Sequence, residues 1–373
     1  MKYVDEFRHP PAVLAQAQRI AEMARQHWTI MEVCGGQTHA ILNYGLDELL
    51  PEQVELVHGP GCPVCVTPVS VIDHAIAIAS QPGVILTTFA DMLRVPGSSA
   101  DLIRTRAAGG DVRPVYSPLD AVSIAAADPD RQVVFFAVGF ETTAPATALA
   151  VLRAERLALP NFSLLVAHVL VTPAMEAVLA HPGNRVQGFL AAGHVCTVTG
   201  YAHYADLVER YRVPVVVTGF EPSDLMDGIT TLLELLEAGT PAVVNRYARA
   251  VTRSEAGPAF APVAVVYDVA DTEWRGLGVI PGSGLRLKSR YQKYDASLRF
   301  PRPYLLPRID GDCQAGLVLQ GRLAPDRCPA YGNRCTPAQP LGAPMVSAEG
   351  ACAAYWNAGR PPRLREFDPV QEH

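Results

Sequence analysis

The sequence predicts an α/β protein: two parallel-sheet α/β domains of similar topology, followed by a smaller, irregular domain. Three observations carry that expectation. Short β-branched runs alternate with segments of helical periodicity, the pattern of parallel strands covered on both faces. One theme recurs, VGFET at 138–142 and TGFEP at 218–222, each time after a strand-like run and before a helical one. From about Asp271 the texture changes: Pro and Gly become frequent, strand patterns fade, and four of the eight cysteines gather.

Taken in order, residues 10–28 place Val13, Leu14, Ala17, Ile20, Ala21, Ala24 and Trp28 at helical spacing and predict an amphipathic helix. Strand-like runs follow at 29–33, 84–88, 133–138, 162–166, 188–192 and 215–218. Helical periodicity fills Pro68–Ser80, Thr142–Leu157, Pro173–Ala180 and Ser223–Ala238. With 373 residues and ~150 residues per domain, two or three domains are expected. The boundaries fall at 29–128, 129–270 and 271–373, with the helix of residues 1–28 packing on the last.

Hydrophobic residues make up 49% of the chain and charged ones 18%, a composition that buries large cores and argues against disorder. The net charge is −6, with basic residues scattered rather than blocked, so no nucleic-acid partner is expected. No apolar stretch reaches the ~18–20 residues of a membrane span. The start, MKYVDEFRHP, lacks a charged leader and an apolar run. The expectation is a soluble, cytoplasmic protein with no membrane association.

In a reducing compartment, a set of cysteines points to metal or redox chemistry before a disulfide framework. The late quartet is spaced Cys313-x14-Cys328-x6-Cys335-x16-Cys352. Four soft thiolates complete a tetrahedral zinc shell or an iron–sulfur cube. Structural zinc usually shows paired C-x2–4-C knuckles, which this segment lacks. Long, uneven gaps fit a cluster wedged between loops better, and unligated core thiols are the alternative.

The early cysteines lie in two motifs. GPGCPVC at 59–65 holds a C-x2-C, half a metal site or a redox dithiol, in a loop stiffened by Pro and Gly. A helix beginning near Pro68 would favour thiolate there. MEVCGGQTHA at 31–40 runs from a strand into a helix, so Cys34 falls where a parallel sheet presents its ligand site. Gly35 and Gly36 let the backbone approach a ligand closely, and His39 is either a second ligand or a helix-capping residue. The dinucleotide pattern G-x-G-x-x-G is absent.

Together these motifs resemble the HypD family of NiFe-hydrogenase maturation proteins. The likeness rests on MEVCGGQTHA (31–40), GPGCPVCVTP (59–68), VGFETTAP (138–145), GHVCTVTGY (193–201), GFEPSD (219–224) and WRGLG (274–278). It continues through VLQG (318–321) and CTPAQPLGAPMVSAEGACAAYW (335–356). The resemblance implies two α/β domains and a third carrying a 4Fe-4S cluster. It implies a redox-active scaffold, rather than a conventional turnover enzyme, that assembles the Fe(CN)2CO centre. Its implied partners are a HypC-type chaperone that shares the iron, a HypE-type cyanide donor and, indirectly, the hydrogenase large subunit. Carried onto this chain, Cys34 is the iron-binding thiol, Cys62 and Cys65 the redox dithiol, and Cys313, Cys328, Cys335 and Cys352 the cluster ligands. His194 and Glu349 fall in family motifs near the same site. A stand-alone, cluster-dependent thiol–disulfide reductase is the alternative function.

Two departures stand out. The family's first motif often reads Cys-Gly-Gly-His-Thr-His, and Gln37 here replaces a histidine with a side chain that cannot shuttle a proton at neutral pH. Family members often carry further tail cysteines where this chain has Ala315 and Pro344, which leaves four thiols, enough for one cube. Among the remaining candidates, Cys196 is expected as a buried structural thiol. Glu141 and Glu221 are expected as caps of the helices that follow them, and Asp91 and Arg94 as residues near the cleft.

Overall fold

The computed structural model of the chain describes residues 5–302 and 312–363. Eleven strands appear among the described residues: β1 (Trp28–Glu32), β2 (Val54–His58), β3 (Val84–Thr88), β4 (Asp111–Pro114), β5 (Gln132–Gly139), β6 (Phe162–His168), β7 (Gly188–Ala192), β8 (Val215–Thr218), β9 (Val243–Asn245), β10 (Tyr267–Trp274) and β11 (Gly278–Leu287). The central strands β1, β3 and β7 are buried at every position. That is why they read as unbroken apolar runs instead of alternating ones.

Nine strands form two parallel sheets, ordered β2-β1-β7-β8-β9 and β4-β3-β5-β6. In both, the second strand lies outside the first and the third lies on the first strand's other side. The topologies are therefore alike, as expected. Their division of the chain is not: β1 and β2 share a sheet with β7–β9, while β3–β6 are nested between them. The expected boundary at 128/129 cuts through the four-stranded sheet, whose β3 and β4 lie before it and β5 and β6 after it. Adjacency in sequence had placed the 29–33 and 84–88 runs together, whereas Ile30 in fact pairs with Gly188.

One apolar core runs between the sheets, joining Met31, Val57 and Phe189 to Leu86, Val134 and Phe136. The far face of the five-stranded sheet packs Ile30, Leu190 and Val216 under the Pro10–Met23 and Pro222–Ala238 helices. Among the described residues the amino-terminal helix thus packs on the Pro222–Ala238 helix and not on the carboxyl-terminal part. Its stripe of Val13, Ala17 and Ile20 is buried there with Leu225, Ile229 and Leu232, where Val13 and Ile20 each contribute about 1.5–3 kcal/mol. The helix also stops at Met23, short of the expected 28, because Trp28 already belongs to β1 and its indole N–H donates to Glu237 Oε1 at 2.7 Å.

The chain after 266 is more regular than expected. β10 and β11 form an antiparallel hairpin, and its Leu285 and Leu287 cover the far face of the four-stranded sheet beside Val133 and Phe135. Its other face meets solvent, so the strand signal was diluted by polar and Gly positions. Among residues 312–363 the helices are short, Ala315–Leu319 and Ala351–Asn357, joined by turns. Here Ala330, Tyr331, Cys335 and Met345 make a small cluster of their own. Among the described residues, no helix is long and apolar enough to cross a membrane.

Candidate metal and thiol site

In a sheet ordered second-first-third-fourth, the winding reverses between the first and third strands, and ligands bind beyond the carboxyl ends there. In the five-stranded sheet these strands are β1 and β7. Cys34 follows β1 and stands at the N-cap of the Gly35–Asn43 helix, and His194 follows β7. Across the gap Cys34 Sγ lies 3.7 Å from His194 Nδ1. Phe220, beyond β8, sets its ring 5.3 Å from the imidazole. A Cβ at Gly36 would sit 3.3 Å from that ring and 3.6 Å from Cys34 Sγ, so glycine keeps the approach to the thiol open.

The Cys34 turn is held from beneath by Glu32, a carboxylate only 1% exposed. A buried carboxylate is costly unless its oxygens are taken up. Here Oε2 accepts from Cys34 N at 2.8 Å, and Oε1 accepts from Thr38 Oγ1 and lies 2.8 Å from His58 Nδ1. His58 Nε2 in turn lies 3.2 Å from Tyr355 OH, on the helix that carries Cys352. Sequence reasoning missed Glu32, His58 and Tyr355. A lone carboxylate inside the apolar ThrIleMetGluVal run was the available signal.

The second motif is pressed against the first. Gly35 N donates to Gly61 O at 3.1 Å, and a Cβ on Gly61 would fall 2.2 Å from Cys34 N. Cys62 then caps the short Pro63–Val66 helix and is joined to Cys65 by a disulfide. Both sulfurs belong to buried residues, Cys62 3% and Cys65 0% exposed. Cys62 Sγ lies 3.4 Å from Ser347 Oγ, a neighbour that sequence reasoning also missed. Glu349 arrives from the same segment, its backbone so close to Gly35 that a Cβ there would lie 2.2 Å from Glu349 O. Its side chain lies at the accessible rim, where burial against the walls and then Asp91 raise the carboxyl above its usual range.

Burial keeps the Cys34–His194 pair uncharged. Burial pushes the Cys34 thiol far up, with Glu32 and Glu349 adding to it. Burial also pulls the His194 imidazole down. The pair is thus a thiol beside an uncharged imidazole.

Cys313, Cys328, Cys335 and Cys352 line one cavity together with Ala315, Tyr331, Pro344 and Met345. Gly342 is required there, since a Cβ would lie 2.5 Å from Cys313 Sγ. Burial raises the Cys313 and Cys352 thiols, and the other cysteines raise both further. Ala315 and Pro344, where the family often has cysteine, face this same cavity. Burial and neighbouring sulfurs hold Cys313 and Cys352 as thiols, in a donor set that a cation would complete.

The remaining candidates separate cleanly. His39 is exposed on its helix, and the imidazole beside Cys34 is His194. Gln37 is buried and donates to Ala191 O at 3.2 Å, tying its helix to the end of β7. Cys196 is buried away from solvent, its thiol pushed up to about 12 by desolvation. Glu141 Oε1 accepts from Val171 N at 2.9 Å, so it caps the Val171–Ala180 helix and not the helix that follows it in sequence. Glu221 is the N-cap residue of the Pro222–Ala238 helix and pairs with Arg8. Arg94 donates to Pro337 O at 2.6 Å.

Nested parallel sheets with cysteines at the winding reversal define a class, that of thiol-rich α/β proteins with an appended cysteine-lined cavity. Within that class the chain belongs to the HypD family, whose model, described as "Hydrogenase formation hypA family", matches residues 12–359. The resemblance read from the motifs is borne out. A hydrogenase maturation factor HypD from Rhodobacter capsulatus is 45% identical over 371 residues, covering 96% of this chain and 98% of that protein. The protein of the same description from Azotobacter vinelandii is 45% identical over 369 residues, 96% and 97% of the two chains. That from Escherichia coli K12 is 44% identical over 367 residues, 95% and 98%.

Proposed function

We propose that the chain is a hydrogenase maturation factor that holds iron at Cys34 while the Fe(CN)2CO centre is assembled as its cargo. The carrying observation is the Cys34–His194 contact at the winding reversal, with the Cys62–Cys65 turn packed on its back through Gly61. A thiol becomes a ligand by losing its proton. Neutral His194 Nδ1 stands in reach to take it, and Gly36 leaves room for a second thiol from a HypC-type chaperone. A HypE-type donor then delivers cyanide, and the finished centre passes to the hydrogenase large subunit.

The tail cavity suits a 4Fe-4S cluster held by Cys313, Cys328, Cys335 and Cys352. Its donors are all soft thiolates. They ring a cavity, whereas one zinc ion draws four sulfurs to ~2.3 Å of a single point. When bound, the cluster supplies one-electron chemistry within the segment that also brings Ser347 to Cys62. Cys62 and Cys65 cycle between the disulfide and two thiols, taking up two electrons and two protons. Burial of both sulfurs counts against the stand-alone reductase, because a protein disulfide cannot reach them.

The test is infrared spectroscopy of the anaerobic complex with the chaperone-type partner. Cys34→Ala is expected to abolish the bands of iron-bound cyanide and carbonyl while the protein keeps its own iron and sulfide. Undiminished bands in that variant remove Cys34 from the mechanism.

A further inference from the structure

Arg275 lies in the turn between β10 and β11, inside the WRGLG motif, and nothing above gives it a task. Its backbone N–H donates to Val66 O at 2.7 Å, directly after Cys65. The next residue, Gly276, packs on the Ala315–Leu319 helix so closely that a Cβ would lie 2.5 Å from Gly316 Cα. Gln320 Nε2 donates to Gly276 O at 2.9 Å and locks that contact. The turn therefore bridges the disulfide helix and the helix that begins just after Cys313.

The guanidinium is poorly provided for. Nη2 reaches Pro96 O at a long 3.4 Å, and the buried Nε has no hydrogen-bond partner. Burial pulls the guanidinium down, and the groups placed to counter this are Cys313 first and Asp73 second. Asp73 is already engaged, Oδ1 by Ser98 N at 2.7 Å and Oδ2 by Ser98 Oγ at 2.6 Å. A desolvated cation is stable only beside compensating anions: the buried Asp73 carboxylate, whose charge the neutral Ser98 donors leave in place, is one, and the Cys313 thiolate becomes the second once the quartet holds its metal.

We propose that Arg275 is the counter-charge of the cysteine-held centre, a positioning residue whose fixed cation sets how tightly the four thiolates keep their metal and how readily the centre accepts an electron. The inference rests on the cluster reading above. Four thiolates and bridging sulfides leave such a centre negative, and each added electron makes it more so. A fixed cation whose field reaches Cys313 therefore favours the reduced form, and its removal favours the oxidised one.

The experiment uses the full chain purified anaerobically as wild type, Arg275→Gln and Arg275→Lys. Iron and acid-labile sulfide per chain are measured, followed by a redox titration of the visible absorption. Expected is at least a tenfold shift of the reduction equilibrium toward the oxidised form in Arg275→Gln, 59 mV for a one-electron couple, with Arg275→Lys staying nearer wild type. Loss of iron and sulfide from Arg275→Gln while Arg275→Lys keeps them also supports the proposal. A loaded Arg275→Gln with an unchanged potential overturns it. Equal loss in both variants overturns it too, because packing and not charge would then be at work. Wild type with zinc and no sulfide overturns the cluster reading itself, and this inference with it.

Discussion

Cys34 Sγ and His194 Nδ1 stand 3.7 Å apart although 160 positions separate them in the chain. The two strands that bring them together, β1 and β7, are hydrogen-bonded neighbours, so the contact is fixed by sheet register and not by loop chance. A soft donor and a neutral base on rigid strand ends form a pre-organised pair.

Replacing His194 by Ala removes that base and leaves the thiol in place. Retention of iron against a chelator in the partner complex should fall about 10–100-fold, the usual loss when a ligand's hydrogen-bonding neighbour is removed. Unaltered retention would confine His194 to packing against Phe220.

Glu32→Ala deletes the acceptor shared by Cys34 N, Thr38 and His58. Breaking a buried pair of this kind costs about 3–5 kcal/mol, to be read as a lower urea midpoint of unfolding. Glu32→Gln keeps an acceptor for Cys34 N and should lose less. If both variants unfold like wild type, the network does not hold the turn.

Gly61→Ala forces a Cβ to within 2.2 Å of a backbone nitrogen, which cannot rotate aside. Overpacking of this kind costs about 1–3 kcal/mol. Because the displaced atom belongs to Cys34, iron carriage should fall along with stability. Gly257→Ala, whose Cβ would meet only Val198 O at 3.8 Å, is the control and should change neither.

Glu141 gives the fold a pH dependence. Burial pushes its carboxyl up to about 7, against ~4.3 in an unfolded chain. The folded state then binds the proton more tightly, so the stability it contributes is complete below the unfolded value and is lost as pH rises through about 7. Glu141→Gln keeps an acceptor for Val171 N and cannot ionise beside Cys196 and Tyr204. Its stability relative to wild type should rise between about pH 5 and pH 8, as followed by urea unfolding. A constant difference across that range would show that Glu141 is already ionised in the fold.

The strands that sequence made visible are those buried on both faces. β3 and β8 announce themselves by β-branched runs, β1, β5 and β7 by largely apolar ones, and β6 by PheSerLeuLeuVal. The three missed from the parallel sheets, β2, β4 and β9, are all edge strands, where short length and residues such as Glu55, Arg113 and Asn245 weaken the pattern. The site divides in the same way. Cys34, Cys62, Cys65 and the late quartet were legible because thiol chemistry is rare and its spacing is informative. Glu32, His58, Ser347 and Tyr355 were not, since their roles arise only from contacts between distant segments.

The nesting of one sheet within the other also orders events during synthesis. Cys34 and Cys62 leave the ribosome well ahead of β7, and the whole of the four-stranded sheet is made in the interval. That inner sheet can close on local partners while β1 and β2 still wait for theirs, since long-range pairing is the slow step. A nascent chain therefore displays its most reactive sulfurs before the pocket that tames them exists, and the tail that completes their surroundings emerges last of all.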